Sequence, residues 1–294
     1  MTRVLRRALP VLMAALAVAN TGCSSKSSER TPTGPQPPGS GEEGRLSAMT
    51  APPLGFVRQF GVLAFSGVSA AGTAVVNGDV GSCPTPSITG AGLSTVPPFI
   101  IHTAADAVTC QAQTDATAAS TNLLGQGPGT LLVAGLGGTT IGPGIYQFAS
   151  TADIAATTTF TLSGAGSYVF LVPSSVTANV GSNMALIGVD PCEVFWRVGS
   201  SATLNGANFF GTVIAGAAGA GSVTVGTGAN LVGRAVSLTA VVTMPGTGQT
   251  IGGCSALGPT PPPSPGPVPA LPDLAMWGLL VVLMVIGAYI LSRH

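Results

Sequence analysis

The pattern that decides the fold is a strand-sized unit that occurs four times: Val176-Thr177-Ala178-Asn179-Val180, Ala202-Thr203-Leu204-Asn205, Val223-Thr224-Val225-Gly226 and the shorter Val242-Thr243-Met244. In each copy the apolar residues share one parity, and Thr or Asn takes the other. Because a β-strand sends alternate side chains to opposite faces, the Thr positions should lie on one face in register. Recurring units of this kind indicate a β-solenoid with a flat, Thr-bearing wall.

The composition favours tightly turned strands over helices with charged surfaces. Charged residues make up 7% of the 294 residues, against about a quarter in an ordinary soluble domain. Glycine occurs 42 times, and small residues suit turns and a close approach of backbones. The formal net charge is zero, so the sequence does not indicate binding to nucleic acid or anionic lipid through charge.

Two further classes of apolar segment, the first and the third, alternate with the Thr-bearing units, which are the second class. Several members of the first class are apolar on both parities, which predicts strands covered on both sides. Members of the third class are each closely followed by glycine. The first class comprises residues 145–148, 168–172, 194–198, 211–214 and 234–238, and the third comprises residues 160–162, 184–187, 208–210 and 230–232.

One helix is predicted in this domain, over residues 104–124, which contain no Gly or Pro and are rich in Ala, Gln and Thr. Thr103 with Asp106 resembles a capping box, and Gly125 provides the C-terminal stop. We therefore predict a mainly β fold, an irregular right-handed triangular β-solenoid with three walls. This one long α-helix should lie alongside the wall that the first-class strands form. The domain is expected to span residues 54–256.

Residues 1–22 are predicted to be an export signal, because basic residues precede a short apolar stretch that stops before Cys23. The Gly22-Cys23 junction resembles a bacterial lipobox, in which Cys23 would be acylated after cleavage. The alternative is an ordinary secretory signal with an incidental cysteine. Residues 23–53 have almost no apolar content and are predicted to be a flexible linker.

The C-terminal part of the chain is predicted to be a membrane anchor. Residues 257–272 form a Pro-rich, extended linker. A helix over residues 273–294 follows, in which 274–292 carry no charge and just span a bilayer before the basic Arg293-His294. This end resembles a bacterial sorting signal cut by a membrane protease, the alternative being a plain single-pass anchor. We expect an exported protein held at the cell envelope (outer membrane or cell surface) through the Cys23 lipid, helix 274–292 or both.

Four cysteines fall within the predicted domain: Cys83, Cys110, Cys192 and Cys254. Export makes disulfides permissible, and four cysteines allow three pairings. We expect the pairs nearest in sequence, Cys83 with Cys110 and Cys192 with Cys254. No CxxC motif or Cys/His cluster with metal spacing is present in the sequence, which argues against a metal site.

The sequence offers little support for catalysis. His102 is expected at the entry to the helix, Asp79 in a turn and Asp106 at the helix cap. Asp190 and Glu193 flank a turn and belong to no recognised motif, whereas a glycosidase needs two carboxylates at a defined separation. We therefore expect neither an enzyme nor a cofactor.

The domain resembles the bacterial and fungal ice-binding protein family over residues 54–255. The resemblance implies an irregular β-helix with one long helix alongside, and it implies ice binding. It is carried by Phe60-Gly-Val-Leu-Ala, Val76-Asn-Gly-Asp-Val-Gly-Ser-Cys-Pro, Ile88-Thr-Gly, Ile101-His-Thr-Ala-Ala-Asp-Ala, Pro143-Gly-Ile-Tyr, Pro191-Cys-Glu-Val-Phe-Trp-Arg-Val-Gly-Ser-Ser-Ala-Thr-Leu, Gly211-Thr-Val-Ile-Ala and Gly228-Ala-Asn-Leu-Val-Gly-Arg-Ala.

The resemblance also implies that the flat, Thr-rich wall contacts ice or ice-like ordered water. Strands about 4.8 Å apart hold Thr methyls and hydroxyls at a regular spacing, where many weak hydrogen bonds to water can act together. Asp153 would extend this wall with a charge that keeps its own hydration, and Gly226 leaves a gap. The alternative is that these residues are exposed β-formers in a surface adhesion or structural module without ice activity. The matching outward positions are Thr177, Asn179, Thr203, Asn205, Thr224 and Thr243.

Overall fold

The computed structural model describes residues 51–255. The predicted signal 1–22, Cys23, residues 24–50 of the linker, the Pro-rich linker 257–272 and the helix 273–294 lie outside the described residues. Within residues 51–255, no helix is both long enough and apolar enough to cross a membrane.

In the described range 51–255, six short strands precede the one α-helix, α1 (Ala107–Gly125), and fifteen strands follow it. Two 3-10 turns, Gly55–Gln59 and Pro191–Glu193, precede strands β1 and β15. The strands before the helix are β1 (Phe60–Ala64), β2 (Gly67–Ala70), β3 (Ala74–Asn77), β4 (Asp79–Ser82), β5 (Ile88–Thr89) and β6 (Leu93–Thr95). Those after it are β7 (Thr130–Leu132), β8 (Thr140–Ile141), β9 (Gly144–Phe148), β10 (Ala152–Ile154), β11 (Thr159–Ser163), β12 (Tyr168–Val172), β13 (Val176–Ala178), β14 (Asn183–Ile187), β15 (Val194–Val198), β16 (Ala202–Leu204), β17 (Asn208–Ala215), β18 (Val223–Val225), β19 (Asn230–Ser237), β20 (Val241–Met244) and β21 (Gln249–Gly253).

These strands form three parallel sheets, of eleven, seven and three strands. Successive coils of the chain contribute one strand to the large sheet and one to the seven-stranded sheet, as in β9–β10, β12–β13 and β15–β16. The fold is therefore mainly β and solenoid-like with one helix, as predicted. The right-handed winding stays a prediction.

The coils do not stack in the order of the sequence. In the seven-stranded sheet the order is β10-β13-β16-β18-β20-β2-β5, so the N-terminal strand β2 lies directly on β20. Strand β3 pairs with β21 in the same way in the large sheet. The 19 residues of α1 measure about 28 Å, close to six strand spacings of about 4.8 Å. The helix thus returns the chain to the far end of the solenoid, from which the later coils wind back.

The wall formed by the third-class segments, which we call the third wall, differs from the prediction at one end of the solenoid. Only β8, β11 and β14 form a separate three-stranded sheet. The third-class segments at 208–210 and 230–232 instead run without interruption into first-class segments, as the eight-residue strands β17 and β19. Each strand passes its middle through a glycine, Gly211 at φ 112° and Gly233 at φ 158°. A Cβ on Gly233 would lie 1.9 Å from the Gly211 carbonyl oxygen, so these two strands need glycine where they pack together.

The large sheet is covered on both faces, as the first-class segments predicted. Inside the solenoid, Trp196 stacks on Phe170 with ring centroids 3.9 Å apart. On the outer face, strand residues such as Phe195 and Val169 pack against the buried face of α1, where small alanines allow a close approach. Polar bonds add to this contact, because the Arg197 guanidinium Nε donates to the Ser120 carbonyl at 3.0 Å.

The start of the helix corrects one prediction. The helix begins at Ala107, and its N-cap is Asp106, whose carboxylate accepts the Thr109 N–H at 2.7 Å. The capping box predicted from Thr103 is wrong. The carboxylate of Asp106 reaches both the Thr109 amide and the His102 ring, so the residues before it remain outside the helix.

Both expected disulfides are present. Cys83–Cys110 joins the end of strand β4 to the first turn of α1, with Cα atoms 5.1 Å apart. Cys192–Cys254 joins the turn before β15 to the end of β21, with Cα atoms 5.3 Å apart. The second bond therefore ties the last coil back to an earlier one.

An asparagine ladder crosses the corner where the third wall joins the large sheet. The Asn208 side-chain amide donates to Asn183 Oδ1 at 2.9 Å, and Asn208 Oδ1 accepts from Asn230 Nδ2 at 3.0 Å. The Thr250 hydroxyl extends the chain of bonds by donating to Asn230 Oδ1 at 2.6 Å. Because each rung links one coil to the next, the ladder holds neighbouring coils in register.

Candidate functional site

The Thr-bearing units come together as predicted, on the outer face of the seven-stranded sheet, which we call the Thr wall. Thr177 pairs with Thr203, Thr203 with Thr224, and Thr224 with Thr243. The four residues therefore form one straight row across four adjacent strands. Neighbouring strands lie about 4.8 Å apart, so the row is regularly spaced, and it lies on the face that the parity of the sequence predicted.

Buried neighbours set the orientation of this row. Each Thr lies between two residues that point into the solenoid core, as Val176 and Ala178 do around Thr177 and Val223 and Val225 do around Thr224. The Thr residues themselves are partly exposed. Because alternate strand residues face opposite sides, burying these neighbours forces the hydroxyls and methyls outward.

The row is longer than the sequence repeats indicated. Ser69 pairs with Thr243, and Thr89 pairs with Ser69, so both extend the row beyond β20 and both are exposed. Sequence reasoning missed them because they precede Thr243 by more than 150 residues. The only signal was the shared parity of Val68-Ser69-Ala70 with the later units, which does not say where that strand stacks.

At the opposite end of the row stands Asp153, which pairs with Thr177. The side chain of Asn179 lies against it, because the Asn179 amide donates to the Asp153 carboxylate at 2.7 Å and to the Ile154 carbonyl at 3.1 Å. The structure thus places Asn179 at the margin of the wall with its amide hydrogens directed to the preceding coil. The charge of Asp153 is partly satisfied within the protein rather than by water alone.

The second predicted asparagine, Asn205, accounts for the gap at Gly226. A Cβ on Gly226 would lie 2.2 Å from Asn205 Oδ1, so the asparagine side chain occupies the space that a larger residue would need. Asn205 is partly exposed, and within residues 51–255 its side chain has no hydrogen-bond partner. Its amide is therefore available to solvent beside the Thr row.

The hydroxyls in the row are not all equivalent. Thr224 Oγ1 and Thr243 Oγ1 are 3.0 Å apart and share a hydrogen bond. In the described part of the chain, the hydroxyls of Thr177 and Thr203 bond no other protein atom. The half of the row nearer Asp153 therefore presents free hydroxyls at Thr177 and Thr203, whereas the Thr224–Thr243 pair at the middle of the row offers water fewer hydrogens.

The helix leaves this wall open. Helix α1 contacts strands β1, β4, β12 and β15, all of which belong to the eleven-stranded sheet. The Thr wall is built from other strands, and its outer face carries no second layer from residues 51–255. A macroscopic or flat ligand can therefore approach the whole row.

The buried cluster around His102 has a structural role. His102 is 8% exposed, its Nδ1 is 2.6 Å from Asp106 Oδ2, and its Nε2 is 3.4 Å from Asp79 Oδ2. Hydrogen bonds to Asp79 and Asp106 raise the pKa of His102 despite its burial. Burial raises the pKa of Asp106, but the Thr109 amide and His102 outweigh it, so that pKa is lowered overall. Asp79 Oδ1 also accepts the Ile100 N–H, so the cluster joins three segments at the helix entry.

Few side chains in residues 51–255 are placed for metal binding or catalysis. Among residues 51–255, no three His, Cys, Asp or Glu side chains are grouped so that they could hold a metal ion. Asp190 caps the 3-10 turn by accepting the Cys192 N–H at 2.9 Å, and Glu193 accepts the Ser167 hydroxyl at 2.6 Å. Each of these two carboxylates thus has a structural partner.

Comparison with known proteins identifies relatives of this domain. Residues 62–250 match the model of the family described as Ice-binding-like. An ice-binding protein of Nostoc sp. (strain HG1) is 35% identical over 201 residues, which cover 65% of this chain and 71% of the relative.

Solved structures resemble the domain over nearly their whole length. The crystal structure of an ice-binding protein from the Antarctic ascomycete Antarctomyces psychrotrophicus is 32% identical, with a TM-score of 0.60, over 69% of this chain and 98% of that one. An ice-binding protein from an Antarctic biological consortium is 29% identical, with a TM-score of 0.62, over 70% of this chain and 92% of that one.

Proposed function

The chain belongs to the ice-binding-like family, and on that premise we propose that it adsorbs to ice, or to ice-like ordered water, through the Thr wall. The observation that carries this proposal is the row of Thr177, Thr203, Thr224 and Thr243 in register on an uncovered sheet. Relatives of this domain are named as ice-binding proteins, which agrees with it.

The wall suits ice because it combines regular hydroxyls with apolar surface. From Asp153 to Thr89 the row crosses seven strands, which at about 4.8 Å per step gives a length of about 29 Å. Each hydroxyl can hold one ordered water, and the adjacent methyls exclude bulk water that would compete for it. A single such bond contributes little, so adsorption depends on the number and regularity of the positions.

The two asparagines have unequal roles in this proposal. Asn205 lies beside the row with its amide free to order water, and it fills the space above Gly226. Asn179 acts mainly through Asp153, because its amide donates to that carboxylate and to the neighbouring Ile154 carbonyl. Asp153 then marks the edge of the ice-contacting surface, since a carboxylate holds its own hydration shell.

Envelope attachment is the second part of the proposal. An acylated Cys23, the apolar segment 274–292 or both would hold the domain at the cell surface, with the linkers 23–53 and 257–272 as spacers. Attachment would keep a cell near ice or protect its surface from freezing. Mass spectrometry of the protein isolated from membranes tests this. Neither a lipid on Cys23 nor an intact C-terminal segment would be found if the protein is simply secreted.

Bulky substitutions test the ice-contacting wall. We expect Thr203→Tyr and Thr224→Tyr each to remove most of the thermal hysteresis and the inhibition of ice recrystallisation, because one protruding ring keeps neighbouring positions away from a flat lattice. The matched control is Thr161→Tyr, which places the same ring on the three-stranded sheet, where Thr161 is also partly exposed. This variant should keep full activity.

The possible outcomes separate the alternatives. If the unmodified protein shows neither effect on ice, the proposal fails, and a surface adhesion or structural module of the same fold becomes the better explanation. If the protein is active but only Thr161→Tyr abolishes activity, ice is bound by a different wall. Circular dichroism of each variant shows whether the fold is retained.

A further inference from the structure

A buried arginine on strand β19 of the eleven-stranded sheet lines a cavity beside the 3-10 turn Gly55–Gln59, away from the Thr wall. Arg234 is 3% exposed, and its guanidinium donates to the Thr212 hydroxyl at 3.0 Å and to the carbonyl oxygen of Cys254. The guanidinium Nε is buried and has no partner in the described part of the chain. These contacts hold the group in one position, and they leave its positive charge unmatched.

The cavity beside it contains a second arginine. Its volume is about 540 Å³, which is within the size range of small-molecule sites. Arg58 and Glu193 both line it, together with the Cys192–Cys254 disulfide and Phe195. Within residues 51–255, neither Arg58 nor Arg234 forms a salt bridge. Among the described residues that line the cavity, two guanidinium groups and one carboxylate carry a net charge of +1.

An uncompensated buried cation is costly, which makes a missing counter-ion the natural explanation of this arrangement. Burial, and secondly the charge of Arg58, lowers the pKa of Arg234 to about 10. Arg234 therefore remains protonated at neutral pH, and the charge has to be balanced. The Glu193 carboxylate is already engaged by the Ser167 hydroxyl.

We propose that this cavity binds a small inorganic oxyanion of the phosphate or sulfate type. Arg234 is the fixed cation of the site, and the exposed Arg58 closes over the anion from the solvent side. Guanidinium groups suit this ligand because their N–H groups match the oxygens of a tetrahedral anion in pairs. The bound anion would join the 3-10 turn before β1 to strand β19 and so stabilise the domain. Anion binding in this cavity would be independent of ice activity.

Inorganic phosphate is the probe for the test. We expect the melting temperature of the purified protein to be higher in sodium phosphate than in sodium chloride at the same pH and ionic strength. At a tenfold excess over the dissociation constant, the rise should be about 3–6 °C for a domain of this size. A phosphate titration should saturate, which gives the dissociation constant directly.

Two variants separate site binding from a general salt effect, since phosphate stabilises many proteins by exclusion from their surface. Arg58→Gln removes the exposed cation of the site and should abolish the saturable rise. Arg197→Gln removes an equal charge outside the cavity, where Arg197 bonds Ser120 of the helix, and the rise should persist even if the protein melts at a lower temperature. Equal melting temperatures in the two salts would overturn the proposal, and so would an unchanged rise in Arg58→Gln.

Discussion

Asn208 gives the sharpest test of how the coils are held together. Its side chain is the central rung of the asparagine ladder, donating to Asn183 Oδ1 at 2.9 Å and accepting from Asn230 Nδ2 at 3.0 Å. The change Asn208→Ala removes both bonds at once. It creates no large cavity, because Asn208 is only partly buried. The loss of stability should therefore measure the two bonds themselves.

The magnitude follows from the number of bonds. A side-chain hydrogen bond contributes about 1 kcal/mol net, so two bonds contribute about 2 kcal/mol. Water can reach the half-buried partners left behind, which limits any further penalty. For a domain of about 200 residues this corresponds to a fall in melting temperature of about 4–8 °C. Urea denaturation should show the same free-energy loss with an unchanged slope.

Asn205→Ala is the matched control for this prediction. It removes the same atoms from a residue of similar exposure that has no hydrogen-bond partner in the described part of the chain, so its effect should stay below about 0.5 kcal/mol. The two variants should also differ on ice, because Asn205 lies on the Thr wall and Asn208 does not. If Asn208→Ala melts within 1 °C of the unmodified protein, or both variants lose equal stability, the ladder does not hold the coils as argued.

Two further predictions concern the helix entry and the corner of the solenoid. The pKa of His102 is raised above its ordinary 6.5 by hydrogen bonds to Asp79 and Asp106, so the contribution of His102 to stability is complete below pH 6.5 and is lost as the pH rises through the raised pKa. The melting temperature should therefore fall above pH 6.5, and this fall should be absent in His102→Gln. An identical fall in this variant would refute the assignment. Gly233→Ala places a Cβ 1.9 Å from the Gly211 carbonyl oxygen and should cost about 3 kcal/mol or more in urea denaturation. Gly219→Ala, with no atom within 4 Å of the added Cβ, should be neutral, and equal losses in both glycine variants would contradict the corner geometry.

Most of the fold could be predicted from local patterns in the sequence. The alternation of Val, Thr and Ala around Thr177, Thr203 and Thr224 predicted both the strands and the face on which each Thr lies. First-class segments that were apolar on both parities predicted the cover that α1 provides. These successes share one reason. Side-chain parity and the absence of Gly and Pro act within a few residues, so they are visible without knowledge of the partner strands.

Predictions failed where a specific contact, rather than a repeating pattern, decides the local structure. The helix starts at Ala107 because Asp106 reaches the Thr109 amide and the His102 ring, an arrangement that the motif at Thr103 does not reveal. The third wall merges with the large sheet at Gly211 and Gly233 because β17 and β19 pack too closely for side chains there. Neither contact leaves a periodic mark in the sequence.

The same distinction between local patterns and specific contacts holds for the candidate site. The sequence alone determined which faces of the strands carry Thr, because that depends only on alternation and on which neighbours can be buried. Tertiary structure decided the length and the ends of the row. It stacks the N-terminal β2 and β5 on the C-terminal β20 and so adds Ser69 and Thr89, while Asn179 turns toward Asp153 at the other end. Stacking order depends on the return of the chain through α1, since only the packing of that helix along the large sheet brings residues so distant in sequence into register.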